Sequence, residues 1–334
     1  MKRRVVPISV ILALLTTFQA QAQERTTIFK ELLRPEKTAG EVSAETERFE
    51  IGVGAWPTTG RLDSFVYQNA GSQWIEGGTL RANPGDKISQ LQNKLNSTMV
   101  IMDVGMYLFS FLYADASMGV GGFGGEHRDY DWQPQARSDF SSLSYSSANG
   151  YSMVWDANAE LRCVDWNAGK SFVDLSLGYM YYRDSIKHLH NSTMTISDYV
   201  SVNTPLEGHD SQDKYTFDGF RIGSRVRVEV FDRVAFKGKV GVLPWMNAVN
   251  KGYWNLRQTS FLGTATGAAY DLMGGFEFRI TKNFLIEAGY KYMYFQSDKG
   301  TQRTRSPGEE SYSDNGFAAN ASRSGFYFMG RIAM

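Results

Sequence analysis

YDLMGGFEFRITKNFLIEAGYKYMY, running from Tyr270 to Tyr294, is the stretch that decides the fold. Taken at every second position, its first half sets Tyr270, Leu272, Gly274, Phe276, Phe278 and Ile280 on one face. Asp271, Met273, Gly275, Glu277 and Arg279 fall on the other. After Thr281-Lys282-Asn283 the alternation resumes, with Phe284, Ile286, Ala288, Tyr290, Tyr292 and Tyr294 against Leu285, Glu287, Gly289 and Lys291. Side chains of an extended chain point to opposite faces in turn, so a period of two sustained this long means two strands. Their length, the three-residue turn and the split between aromatic and charged faces suggest a hairpin that spans a membrane.

The same pattern recurs along the chain. Strands are expected near 48–55, 87–111, 117–125, 151–166, 173–181, 220–230, 234–242 and 321–334, which with the hairpin makes ten. Connections alternate between about 2–4 residues and roughly 15–30, as in barrels with short periplasmic turns and long outer loops. The expected fold is therefore all-β: a transmembrane, antiparallel, up-and-down β-barrel of about ten strands. Charges such as Glu160, Arg221, Arg225, Lys237, Glu287 and Arg331 share the face opposite the apolar stripe. Facing lipid, an Arg or Lys would cost about 2–4 kcal/mol at mid-bilayer. Facing inward, they can pair in a lumen too narrow for a wide pore. With 21 Phe, 18 Tyr and 7 Trp, the chain has the material for aromatic girdles at both interfaces.

The N-terminus begins Met1-Lys2-Arg3-Arg4, continues into an apolar run from Val10 to Leu15, and reaches Ala20-Gln21-Ala22. A basic start, a short apolar core and an Ala-x-Ala site predict a signal peptide over 1–22. A polar lead-in at 23–46 and a barrel over 47–334 complete the expected organisation. Lys plus Arg and Asp plus Glu both number 35, and this balance argues against a nucleic-acid partner. Cys163 is the single cysteine, so an internal disulfide is excluded and a packing role on its strand is expected. No phosphate loop, cysteine pair or Gly-x-Ser-x-Gly elbow is present, and no cofactor is expected.

Three segments carry a family likeness. They are Ile88-Ser89-Gln90-Leu91, the glycine-rich Gly119-Val120-Gly121-Gly122-Phe123-Gly124-Gly125, and Asp129-Tyr130-Asp131-Trp132. Here the chain resembles the omptin family of outer-membrane proteases. The resemblance implies ten long strands rising above the membrane and an active groove at the outer rim. It also implies an Asp-x-Asp pair facing an Asp-His pair across a water used for peptide hydrolysis. Asp129 and Asp131 match the first pair, and their spacing on an extended segment points both carboxylates the same way. The second pair should fall within Trp245–Asn255, which holds Asn250 but neither Asp nor His.

The four histidines are His127, His188, His190 and His209. His209 with its neighbour Asp210 is the candidate displaced base pair, with His127 as an alternative. His188 and His190 are spaced to share a metal, but no further ligand is specified and no metal is expected. Three readings follow. The first is an omptin-like barrel acting through its extracellular loops in surface binding or an envelope role. The second is an active endopeptidase using Asp129 and Asp131 with a displaced base, and the third a small-solute channel. The expected partners are outer-membrane lipid, lipopolysaccharide on basic loop residues such as Arg303 and Arg305, and an extracellular peptide or protein. The sequence leaves the oligomeric state open.

Overall fold

A computed structural model describes residues 49–67, 70–76, 79–84, 87–132, 140–167, 169–188, 192–196, 200–206, 211–255 and 258–334. The expected leader and lead-in lie outside these residues, as do His190, His209 and Asp210. The elements are β1 (Phe49–Tyr67), β2 (Ala70–Glu76), β3 (Thr79–Pro84), β4 (Lys87–Phe109), β5 (Leu112–Trp132), β6 (Phe140–Trp166), β7 (Ser171–His188) and β8 (Ser192–Ile196). They continue as β9 (Val200–Leu206), β10 (Ser211–Phe231), β11 (Val234–Trp254), β12 (Thr259–Arg279), β13 (Phe284–Ser297), β14 (Gly300–Ser306) and β15 (Glu309–Ala333).

Ten of these strands close an antiparallel ring in the order β1-β4-β5-β6-β7-β10-β11-β12-β13-β15, with β15 returning to β1. Closure removes every open edge at the level of the ring. The first and last strands of the ring make the seam, where Phe49 and Met334 exchange backbone hydrogen bonds of 3.1 and 2.9 Å. Beyond the end of β13, β14 takes over the ninth place, pairing with β12 and β15. The β8–β9 hairpin extends the sheet from β6, and β2 pairs only with β3.

The two faces of the ring are as the alternation predicts. Leu177, Leu272, Phe276, Ile286 and Phe328 are exposed on the outside, whereas Asp271, Glu277 and Glu287 are buried within. An apolar outer belt on a protein with a buried ionic interior has no rationale in water, and it is what lipid requires. Aromatic residues edge the belt. Phe109, Phe111, Trp166 and Phe231 lie beside the short turns. Toward the long-loop end, Trp155 packs on Tyr179 and Tyr181 at 5.8 Å, and Tyr179 meets Phe220 at 5.6 Å.

The strands are longer than the alternation predicts. Segments read as loops continue the ladder: the end of β1 to Tyr67, Glu126–Trp132 of β5, Ser211–Lys214 of β10, Asn247–Trp254 of β11, and most of 298–320. Beyond the belt the outer face meets water, so both faces are polar and the apolar stripe fades while backbone pairing persists.

Strand β10 shows how the interior is layered. From the long-loop end its inward side chains are Asp213, Tyr215 and Phe217, then Arg221, Arg225 and Arg227. Tyr215 and Phe217 join Leu62, Leu95, Tyr182 and Phe295 in an apolar layer. Nearer the short turns, Arg221 binds Asp271 at 2.7 Å and Arg225 binds Glu160 at 2.6 Å and Asp174 at 2.7 Å. Lys237 bridges Glu277 and Glu287 at 3.0 and 3.2 Å, and Arg331 bridges Glu287 and Asp103 at 2.9 and 2.7 Å. Ion pairs thus occupy the lumen at belt height, as a narrow barrel demands.

One irregularity sets the orientation of upper β11. The register slips between Leu243 and Met246, both fully buried, so Pro244 and Trp245 both face outward. Proline lacks the N–H of a ladder partner and is tolerated at a bulge. Below the bulge even-numbered residues such as Val240 and Val242 face out; above it Ala248 and Asn250 face in.

Candidate active site

At the long-loop end, above the apolar layer, the ring encloses a cavity of about 280 Å³. Asp129 and Asp131 line it from β5, together with His127, His188, Asp213 and Asn250. The two aspartates lie on the strand itself, not in the loop expected for them, because β5 extends to Trp132. Period-two geometry turns them into the same space, as their spacing implied.

The acidic pair is electrostatically strained. Burial raises the Asp129 carboxyl to about 8, and the charges of Asp131 and Asp213 push the same way. The Ser89 hydroxyl, 3.4 Å from Asp129 Oδ1, acts in the opposite sense. Asp129 therefore holds its proton at neutral pH, and the cavity contains a carboxylic acid able to donate.

Two and three places round the ring from β5, β7 and β10 supply the histidine that β11 lacks, with an aspartate beside it. His188, at the end of β7, places Nε2 3.0 Å from Asp213 Oδ2 on β10. Asp213 Oδ1 in turn accepts from Asn250 Nδ2 at 3.3 Å. His188 is 3% exposed, and its Nδ1 is buried without a hydrogen-bond partner. Its ring packs against that of His127 with centroids 3.8 Å apart. His127 Nδ1 is fixed 2.9 Å from Asn93 Oδ1. Gly252 makes room for the aspartate: a Cβ there would lie 2.5 Å from Asp213 Oδ1. Below, burial and the nearby Asp213 charge hold the Tyr215 hydroxyl well above its ordinary pKa, and it meets Ser64 Oγ at 2.8 Å.

Of the expected site residues, Asp129 and Asp131 come together with His127, while His209 and Asp210 lie outside the described residues. Sequence reasoning missed Asp213, which it left in a polar loop. The signal was present: Asp213, Tyr215, Phe217, Gly219 and Arg221 share one parity and extend the sixth strand upward. Among the described residues no group of three or more His, Cys, Asp or Glu side chains is arranged to hold a metal ion.

No family model and no curated protein matches the sequence. Solved structures do match the fold. The outer membrane protease OmpT from Escherichia coli superposes with a TM-score of 0.75 at 14% identity, over 86% of this chain and 97% of that one. The translocator domain of the autotransporter NalP from Neisseria meningitidis gives a TM-score of 0.33 at 11% identity, over 94% and 96% of the two chains. A Pseudomonas aeruginosa FadL homologue gives 0.32 at 9% identity, over 86% and 90%. The fold is that of an integral outer-membrane β-barrel. In particular, its ten-strand architecture is the one seen in the omptin protease.

Proposed function

We propose that the cavity is the active site of an outer-membrane peptide hydrolase whose His-Asp pair has moved from β11 to β7 and β10. The observation that carries this reading is the His188–Asp213 contact in the cavity that also holds Asp129 and Asp131. Asp213 orients the His188 ring, and the imidazole takes a proton from a water. The resulting hydroxide equivalent adds to a peptide carbonyl. Asp129, protonated at neutral pH, donates to the leaving amine as the C–N bond breaks. Burial keeps that proton in place, and the charge of Asp131 adds to it. In this reading the long-loop end faces the cell exterior and the substrate is an extracellular peptide or protein.

The test is cleavage of an internally quenched peptide mixture by the purified, refolded barrel, repeated with His188→Ala, Asp213→Asn and Asp129→Asn. Cleavage lost in all three supports the assignment. Cleavage that persists in all of them, or no cleavage by the parent protein, overturns it. The second reading, a barrel acting through its loops in surface binding or an envelope role, is favoured by one observation. Upper β11 presents Asn250 and Gly252 where the omptin resemblance calls for an Asp-His pair. The absence of cleavage in the same assay is the outcome it requires.

A further inference from the structure

The cavity wall is chemically divided around the ring. From β5 through β10 it carries carboxylates, imidazoles and serines. The remainder, from upper β11 round to β4, holds every large apolar side chain of the wall (Trp254, Phe261, Phe317, Val66 and Leu91), interspersed with uncharged polar groups such as Asn250, Gln302 and Ser64. Phe317 is 3% exposed and lies over Gly263, where a Cβ would sit 2.5 Å from the ring. Glycine at that position admits the aromatic ring to the wall. Among the described residues no lysine or arginine lines the cavity to pair with an anionic side chain. Two of its three carboxylates are engaged. Asp213 is held by His188 and Asn250, and Asp129 carries a proton at neutral pH.

Resting on the hydrolytic reading above, we infer that the site selects a peptide with a large apolar side chain beside the bond to be cut. An aromatic or long aliphatic group would pack against Trp254, Phe261 and Phe317 while the backbone meets the polar wall. A pocket of this kind is lined mainly by apolar groups and fixes orientation with a few polar ones. A cationic side chain seated on that wall would lie among uncharged groups, with the carboxylates of Asp131 and Asp213 on the other side of the cavity. An anionic one would meet the negative charge of Asp213.

The experiment uses two sets of peptides on the full barrel. The first is a quenched series with Phe, Leu, Arg or Asp at the residue preceding the scissile bond. Phe and Leu should exceed Arg and Asp by about tenfold or more in kcat/KM, and Phe261→Ala should reduce the Phe peptide most. The second set has the same sequences with a reduced, uncleavable bond, and binding is measured by calorimetry. Preferred binding of the Phe member without cleavage of any quenched peptide retains the apolar seat and overturns the hydrolytic reading. Cleavage with Arg preferred, or with no preference, overturns the apolar seat and retains hydrolysis. Should Phe261→Ala fail to fold, Leu91→Ala probes the same wall with a smaller truncation.

Discussion

His188 and Asp213 meet at 3.0 Å although they are 25 residues apart and lie on different strands. The β7–β10 register pairs His188 with Ser211 and Ile186 with Asp213, so histidine and aspartate are diagonal neighbours on the inner face. A carboxylate on one imidazole nitrogen decides which tautomer the other nitrogen presents. Replacing Asp213 by Asn should therefore lower kcat by about a hundredfold or more, the range for losing a positioned general base. The double variant with His188→Ala should lose little beyond the worse single change, because the two act as one unit. Steady-state kinetics on the four proteins would check this, with gel mobility of unheated samples confirming the fold.

Asp129 gives the site a pH signature. Its folded-state carboxyl is raised from the usual 3.8 to about 8, so the proton it donates is lost as pH rises through about 8. Hydrolysis should fall across that range, and Asp129→Asn should abolish the limb together with most of the rate. Stability carries the same sign. Between about 4 and 8 the native state binds a proton that the unfolded chain has released, so stability declines as pH rises through that window. Asp129→Asn should flatten that decline, measured as urea midpoints at a series of pH values in one detergent.

Glu287 is the hub of the ion pairs near the short turns. It is fully buried and accepts from Lys237 at 3.2 Å, Arg331 at 2.9 Å and Tyr327 at 2.7 Å. Removing one partner of a buried pair costs about 3–5 kcal/mol, because the remaining charges keep their desolvation penalty. Glu287→Ala should show a loss of that order in reversible unfolding, and Glu287→Gln a smaller one. In planar bilayers the parent barrel should give no steady conductance, since paired side chains fill the lumen where the channel reading needs an open path.

The outer belt can be tested by inverting one residue. Leu177 is 66% exposed in the middle of β7. Leu177→Arg should destabilise the barrel by about 2–4 kcal/mol in phospholipid vesicles, the cost of a cation at mid-bilayer. A surface in contact with water would tolerate it.

The membrane-level half of this structure was legible in the sequence, and the half above it only in part. Tyr270–Tyr294 specifies its own geometry because lipid on one side and packed charge on the other force a strict alternation. Asp271, Glu277 and Glu287 are buried as that alternation requires, and Leu272, Phe276 and Ile286 are exposed. Above the belt the contrast disappears. Ser211, Gln212 and Asp213 form regular strand, yet nothing in their polarity separates inside from outside. Asp129 and Asp131 were found because their own spacing carries meaning. Asp213 was missed because its partner lies across a ladder whose register a single sequence does not display.

The bulge at Pro244 and Trp245 has a consequence for how such a protein can change. It decouples two reading frames on one strand: the lower one obeys lipid, the upper one obeys the cavity. Losing one residue there would remove the bulge and leave Asn250 inside, because Leu243, a single outward residue and Met246 then alternate without a break. A single-codon loss at this point is therefore absorbed: the cavity wall above and the part that holds the barrel in the membrane both keep their facing.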